Sequence, residues 1–408
     1  MNPSSNSLAQ NGSKRISIAL ILGLLSAFGP FSLDMYLPAL PMVAEDLHTS
    51  APMAQLSLTA CLLGLSLGQL FIGPISDVRG RKLPLAIGLA LYAIVSVFCV
   101  YSPSAGAFIA LRFVQGLAGA AGIVISRAVA RDLASGSELT RFFSLLMLVN
   151  GAAPVLAPVA GGQLLRFTDW RGVFVALGLL GVVSLLAALF GLPESLPAER
   201  RARGGIGQTL RTFRRIAGDR EFMGYALPQG FVTAAMFAYI SGSPFVLQGI
   251  FGVSPQTYSL IFACNGLGII LFSQAAGRLA GRVDERRLLA AGLGLASAGG
   301  LGLLAVLLLG GGLWAVLPLL FVVVSCVGLV GTASFPLAMR KQSESAGSAS
   351  ALLGVLSFVF GGIVSPLVGI GGEQTAVPMG VVMAAANVLA IALYYTMVGR
   401  KKRDRGIA

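Results

Sequence analysis

The chain has 408 residues, 56% of them hydrophobic and 11% charged, with a formal net charge of +13 and a mean hydropathy of +0.84. Soluble domains average about 45–50% apolar and about 25% charged residues, so composition alone excludes an ordinary soluble domain. At about 20 apolar residues per spanning helix, the length holds roughly a dozen spans with short connections and no separate soluble domain.

In chain order, residues 1–13 form a polar, Ser/Asn-rich tail that is predicted to be disordered. Lys14 and Arg15 then open an apolar run from Ile16 to about Leu37, too long for the 7–15-residue core of a signal peptide. Further runs lie near residues 54–75, 83–101, 106–126, 142–165, 172–192, 222–245, 258–277, 288–309, 313–337, 349–370 and 377–398, which makes twelve spans. Pro154, Pro158, Pro244 and Pro366 fall inside these runs and read as kinks, because neighbouring helices can satisfy the backbone groups that proline frees. The predicted fold is an all-α polytopic membrane protein. Its expected parts are a six-helix bundle over residues 14–192, a central loop over 193–221, a second six-helix bundle over 222–399 and a basic tail over 400–408. A faint internal echo, Gly73 with its following cations against Gly277 with Arg282, Arg286 and Arg287, fits a duplication of the two halves.

The positive charge could signify nucleic-acid binding, but its distribution argues otherwise. With a cytoplasmic N-terminus, 26 of the 29 basic residues fall in alternate connections on the cytoplasmic side, leaving only Arg112, Arg166 and Arg171. No connection pairs them with base-stacking aromatics, so no nucleic-acid partner is expected. Both termini are therefore expected in the cytoplasm. Cys61, Cys99, Cys264 and Cys326 lie singly inside apolar runs and His48 sits in a polar connection, so no metal site is predicted.

Four stretches carry chemistry. The first is Leu33-Asp34-Met35-Tyr36-Leu37-Pro38, where Asp34 is the one acid of sixteen placed well inside a span. It lies about 27 Å along the first span at 1.5 Å per residue, in its outer half. The second, Leu111-Arg112-Phe113-Val114-Gln115-Gly116 with Gly119, Ala120 and Ala121, puts a cation about 9 Å into the fourth span from its outer end. Such a cation costs about 2.5–3.5 kcal/mol to insert and needs a partner, and Asp34 can stand beside it as a proton carrier if the first and fourth spans are neighbours. The third runs from Gly73 through Asp77, Gly80 and Arg81 to Lys82 in the gap between the second and third spans, with glycines for a tight turn and charges to cap helix ends. The fourth, Ala157-Pro158-Val159-Ala160-Gly161-Gly162, describes a kinked, close-packed fifth span.

Together these stretches resemble the major facilitator superfamily. Gly73–Lys82 is similar to its GxxxD(R/K)xGR(R/K) signature, with Val78 in place of a basic residue, and the fifth-span stretch is similar to the GPxxGG element of its antiporters, with Ala157 in place of the first Gly. The Asp34 stretch, Arg127–Asp132, Tyr239–Phe245 and Ala346–Leu352 resemble the bicyclomycin/chloramphenicol-resistance (Bcr/CflA) branch of drug:proton antiporters. The resemblance implies two six-helix halves, a multi-pass place in the bacterial inner membrane, and export of small amphipathic drugs by alternating access. It further implies neighbouring first and fourth spans, with Asp34 and Arg112 as the proton-coupling pair, and a conformational switch built on Gly73, Asp77, Gly80, Arg81, Asp132, Pro158, Gly161 and Gly162.

Among other polar groups able to line a cavity, Tyr36, Gln115, Tyr239 and Asn265 are the first candidates for substrate contact. No Gly-Lys dipeptide occurs, so a GxxxxGK[ST] nucleotide loop is absent and the expected driving force is a proton gradient with no cofactor. The expected partners are a drug molecule, protons and the lipid bilayer, with the chain a monomer. A metabolite or sugar symporter of the same fold is the alternative. A membrane enzyme would need a catalytic constellation that the sequence does not display.

Overall fold

A hydrocarbon core offers no water to unpaired backbone groups, so a chain this apolar closes its hydrogen bonds within helices. In the computed structural model, which describes residues 12–134, 136–201, 206–342, 346–372 and 374–398, every long apolar run is helical. The basic C-terminal tail lies outside the described residues, as does the predicted disordered tail except for Gly12 and Ser13, which are helical and open α1.

The first span is built in pieces: α1 (Gly12–Ser26), α2 (Phe28–Asp34), a 3-10 turn (Leu37–Ala39) and α3 (Leu40–Asp46). It runs from Ile16 to Asp46, nine residues beyond the expected end at Leu37. The break follows from Pro38 and Pro41, which lack an N–H and disfavour the helical region for the residue before them. The chain continues through α4 (Ala51–Arg79), α5 (Lys82–Val100), α6 (Ala105–Leu133), α7 (Gly136–Leu164) and α8 (Trp170–Gly191). A short helix, α9 (Ile206–Ala217), precedes α10 (Arg220–Ser243), which ends in a π-helical turn at Pro244–Ile250. The remaining helices are α11 (Pro255–Leu279), α12 (Glu285–Leu308), α13 (Leu313–Met339), α14 (Ala346–Val368) and α15 (Val377–Met397). Among the described residues, ten helices are long and apolar enough to cross a membrane, and α7 and α14 occupy the two other expected spans.

The chain divides into two compact units. One comprises Met1–Tyr36 and Ala60–Ile206, the other Leu37–Thr59 and Gly207–Ala408. In the first, α5 packs on α6 and α8, while α1 and α2 lie against α6 and α7. Small residues permit the close approach: a Cβ on Gly116 of α6 would overlap the carbonyl oxygen of Cys61, and one on Gly64 would overlap that of Phe113. In the second unit, α13 packs on α11 and α12, and α10 on α14 and α15. Its core includes Phe222, Tyr225, Leu289, Leu293, Val330 and Ala390.

Candidate functional site

The break in the first span sets the site. Asp34 is the last residue of α2, and its side chain is buried. Among the described residues its carboxyl group makes no hydrogen bond or ion pair.

Arg112 of α6 is 0% exposed. Its Nη2 donates to the carbonyl oxygen of Ser32 at 2.6 Å, and its Nη1 donates to Oε1 of Gln115. The guanidinium carbon stands 4.4 Å from the ring centre of Tyr36 and 5.5 Å from that of Phe174. Gln115 in turn donates from Nε2 to Ser96 Oγ at 2.7 Å, and the Ser32 and Tyr92 hydroxyls lie 2.8 Å apart. The cation is thus held by neutral acceptors and aromatic faces.

Asp34 and Arg112, the expected coupling pair, form no direct ion pair here, and the reason lies in the backbone. A helix that stops at Asp34 leaves its last carbonyls short of intrahelical donors and concentrates the negative end of its dipole there. Ser32 supplies one such carbonyl, and Arg112 caps it. Asp34 and Arg112 therefore share one corner of the first unit without touching.

Two of the expected substrate contacts, Tyr36 and Gln115, are gathered around Arg112; both are 0% exposed. Tyr36 joins Phe108, Trp170 and Phe174 in a cluster of edge-to-face and tilted rings, with Tyr36–Phe174 centroids 5.6 Å apart. The other two lie in the second unit, where Asn265 Nδ2 donates to the Tyr239 hydroxyl at 2.8 Å and the Tyr239 ring stacks on Phe262 at 5.4 Å.

Pro154, Pro158, Gly161 and Gly162 all sit inside α7. A Cβ on Gly161 would overlap the carbonyl oxygen of Met35, so this helix passes directly against the break that follows Asp34.

The Gly73–Lys82 motif was expected to fill a gap between spans. Instead α4 continues through Gly73 and Asp77 to Arg79, with Pro74 inside it, and only Gly80 and Arg81 form the turn. Gly80 has φ +87°, a conformation that costs a side-chain-bearing residue strain. Arg81 donates from Nη1 to Asp77 Oδ1 at 2.5 Å and to Ser76 Oγ at 2.7 Å, and from Nε to Asp132 Oδ2 at 2.8 Å. Asp132, at the end of α6, also accepts from Ser195 Oγ at 2.9 Å.

Glu194, which sequence reasoning missed, completes the cluster. Its carboxylate accepts from the N–H groups of Arg81 at 2.8 Å, Lys82 at 3.1 Å and Leu196 at 3.0 Å. Partial burial pushes this carboxyl up, but those three N–H donors and the charge of Arg201 outweigh it and hold Glu194 below its ordinary value. The one sequence signal for it is an acid placed immediately after a span, in Leu192-Pro193-Glu194-Ser195.

A family model described as the Major Facilitator Superfamily matches residues 22–366. The chain is 46% identical over 380 residues to an uncharacterized MFS-type transporter, YdgK, of Bacillus subtilis (strain 168), covering 93% of this chain and 94% of that one. It is 32% identical over 390 residues to a bicyclomycin resistance protein homolog of Haemophilus influenzae, covering 95% and 97%. A solved bacterial homolog to the human lysosomal transporter Spinster, in an inward-facing and occupied conformation, superposes with a TM-score of 0.74 at 16% identity, covering 95% of this chain and 97% of that one. With an all-α fold, an intramembrane acid and cation on adjoining helices, and a family match across most of its length, the chain belongs to the major facilitator superfamily.

Proposed function

We propose that this membrane transporter is a proton-coupled antiporter that exports small amphipathic drugs of the bicyclomycin or phenicol kind by alternating access. The observation that carries the reading is the isolation of Asp34: a buried carboxyl at a helix break, without an ion-pair partner among the described residues, close to a cation held by neutral acceptors and aromatic faces. A carboxyl in this setting is stable when protonated and neutral. Losing the proton creates an anion for which Arg112 is the ready counter-ion, since a buried charge without a partner is strongly unfavourable. Protonation thus trades one arrangement of the α2 end for another, and drug and proton compete for the region around Asp34 and Arg112. The name of the Haemophilus influenzae relative, a bicyclomycin resistance protein homolog, supports the class of substrate. Tyr36 and Gln115 would offer apolar surface and a polar contact to the drug, and Tyr239 and Asn265 would do so from the second unit. Termini facing the cytoplasm and a monomeric state complete the proposal.

The driving force suffices. One charge crossing about 100 mV supplies about 2.3 kcal/mol, and each tenfold concentration ratio needs about 1.4 kcal/mol. One proton per neutral drug then sustains a gradient of about fiftyfold before any pH difference is added.

The test is transport. In an efflux-deficient host the chain should protect against at least one of bicyclomycin, phenicols, sulfonamides, tetracycline and cationic dyes, and a protonophore should abolish the protection. In proteoliposomes, Asp34→Asn should eliminate export driven by a pH gradient; export at the wild-type rate would remove Asp34 from the proton path.

A further inference from the structure

Between the sixth and seventh spans lies α9, a strongly amphipathic helix of 12 residues. At 100° per residue, the sequence places Ile206, Leu210, Phe213 and Ala217 on one side, with Ile216 at one edge and Arg214 at the other, and Arg211 and Arg215 opposite. The segment holds three arginines and no acid.

Its position is held from the C-terminal end. Only Gly218 and Asp219 separate it from the spanning helix α10. Asp219 Oδ1 caps α10 by accepting from the N–H groups of Glu221 at 2.9 Å and Phe222 at 3.4 Å. The other carboxylate oxygen of Asp219 accepts from Gln342 Nε2 at 3.0 Å. Ile216 is buried in the apolar cluster that contains Phe222 and Tyr225. This end of α9 is therefore fixed at the mouth of a span, where the bilayer surface begins.

The arginines are left over. Arg211, Arg214 and Arg215 are exposed and, among the described residues, their side chains form no ion pair. The two nearest acids in sequence are engaged elsewhere, Asp219 by Gln342 and Glu221 by Lys341 at 2.7 Å. A cationic, amphipathic helix fixed at the edge of a bilayer is complementary to one partner, a lipid surface bearing negative phosphates.

We infer that α9 is an interfacial anchor that binds the headgroups of anionic phospholipids in the leaflet it borders. The positive charges of the arginines pair with lipid phosphates, and the apolar side enters the boundary between headgroups and acyl chains. Each arginine near a charged leaflet is worth about fivefold in affinity, so the three together give on the order of a hundredfold preference for an anionic over a neutral surface.

Amide hydrogen exchange of the full chain, in nanodiscs of phosphatidylcholine alone and of phosphatidylcholine with one-third phosphatidylglycerol, tests this. Exchange across 206–217 should slow at least about tenfold in the anionic discs, while α15 amides stay unchanged. High salt and the triple variant R211Q/R214Q/R215Q should each erase the difference. The triple variant R211K/R214K/R215K retains the charge and should keep most of it. Equal exchange in the two lipids, or slowing that survives the triple Gln variant, overturns the inference. Loss of the effect in the triple Lys variant would likewise overturn it, because charge would then not be the recognised property.

Discussion

Arg112 closes the C-terminal end of α2: its Nη2 donates to the Ser32 carbonyl at 2.6 Å, two residues before Asp34. Its other terminal nitrogen serves Gln115 on its own helix, so one planar fork ties two spans together. Lysine offers a single point charge and cannot reproduce that geometry. Arg112→Lys should therefore lower drug export at least tenfold in proteoliposomes. The lost charged hydrogen bond, worth about 1.5–3 kcal/mol, should also appear as a reduced unfolding temperature.

Glycines in this protein are separable by what surrounds them. Gly116→Ala forces a methyl group into the Cys61 carbonyl and should destabilise the first unit by about 1–3 kcal/mol. Gly151→Ala in α7 meets nothing within 4 Å. It should be neutral or stabilising by about 0.5–1 kcal/mol, because alanine fixes helical backbone at less entropic cost. Thermal unfolding in one detergent, wild type beside both variants, checks the ordering.

Acid should weaken the Gly80 turn. Glu194 is held below its ordinary value, so its ionised form favours the folded state. The contribution is complete above the unfolded carboxyl value of about 4.3 and disappears as pH falls through the lower folded value. Because Glu194 is solvent-exposed, the size is on the order of 0.5 kcal/mol. Glu194→Gln should show a smaller drop in unfolding temperature than wild type on acidification through this range. Identical pH profiles for the two proteins would show that the carboxylate contributes nothing.

In the second unit, Gln55 Nε2 donates to the Ser241 carbonyl at 3.1 Å, while its buried Oε1 has no partner. A net hydrogen bond is worth about 0.5–1.5 kcal/mol, whereas an unmet buried acceptor costs about 1–3 kcal/mol. The penalty is the larger quantity, so Gln55→Leu, similar in volume, should leave the unfolding temperature unchanged or raise it by about 1–3 °C. Gly369→Ala should lower it, since the new Cβ would stand 2.5 Å from that same Oε1 and 2.9 Å from the Pro52 Cα.

How much of this was legible in the sequence depends on which interaction is asked for. Spans are legible because bilayer thickness demands long apolar runs, and Asp34 and Arg112 are legible because charge is rare inside them. Their relation was not. Sequence displays side-chain charges, whereas the acceptor Arg112 uses on the first span is a main-chain carbonyl, exposed by a helix break that Pro38 and Pro41 impose. The same blindness hid Glu194, whose partners are backbone N–H groups brought close only by the fold. The Gly73–Lys82 motif was found, but glycine spacing suggested a loop where α4 in fact carries its charges on helical turns up to Arg79. α9 escaped because its arginines were read as markers of sidedness, and a 12-residue helix is too short to register as a span.

The lodging of Arg112 has a consequence for how the chain is made. Polypeptides emerge N-terminus first, and a lone arginine inserted mid-span costs about 2.5–3.5 kcal/mol. Ser32 and Tyr36, which hold the guanidinium, precede it in synthesis, and Ser96, which orients Gln115, does too. Gln115 arrives on the same helix. Only Phe174, the more distant of the two aromatic faces, is translated later. When the fourth span is synthesised, the groups that receive its arginine from the first and third spans already exist in the chain, so the order of residues lets Arg112 be lodged as it is made.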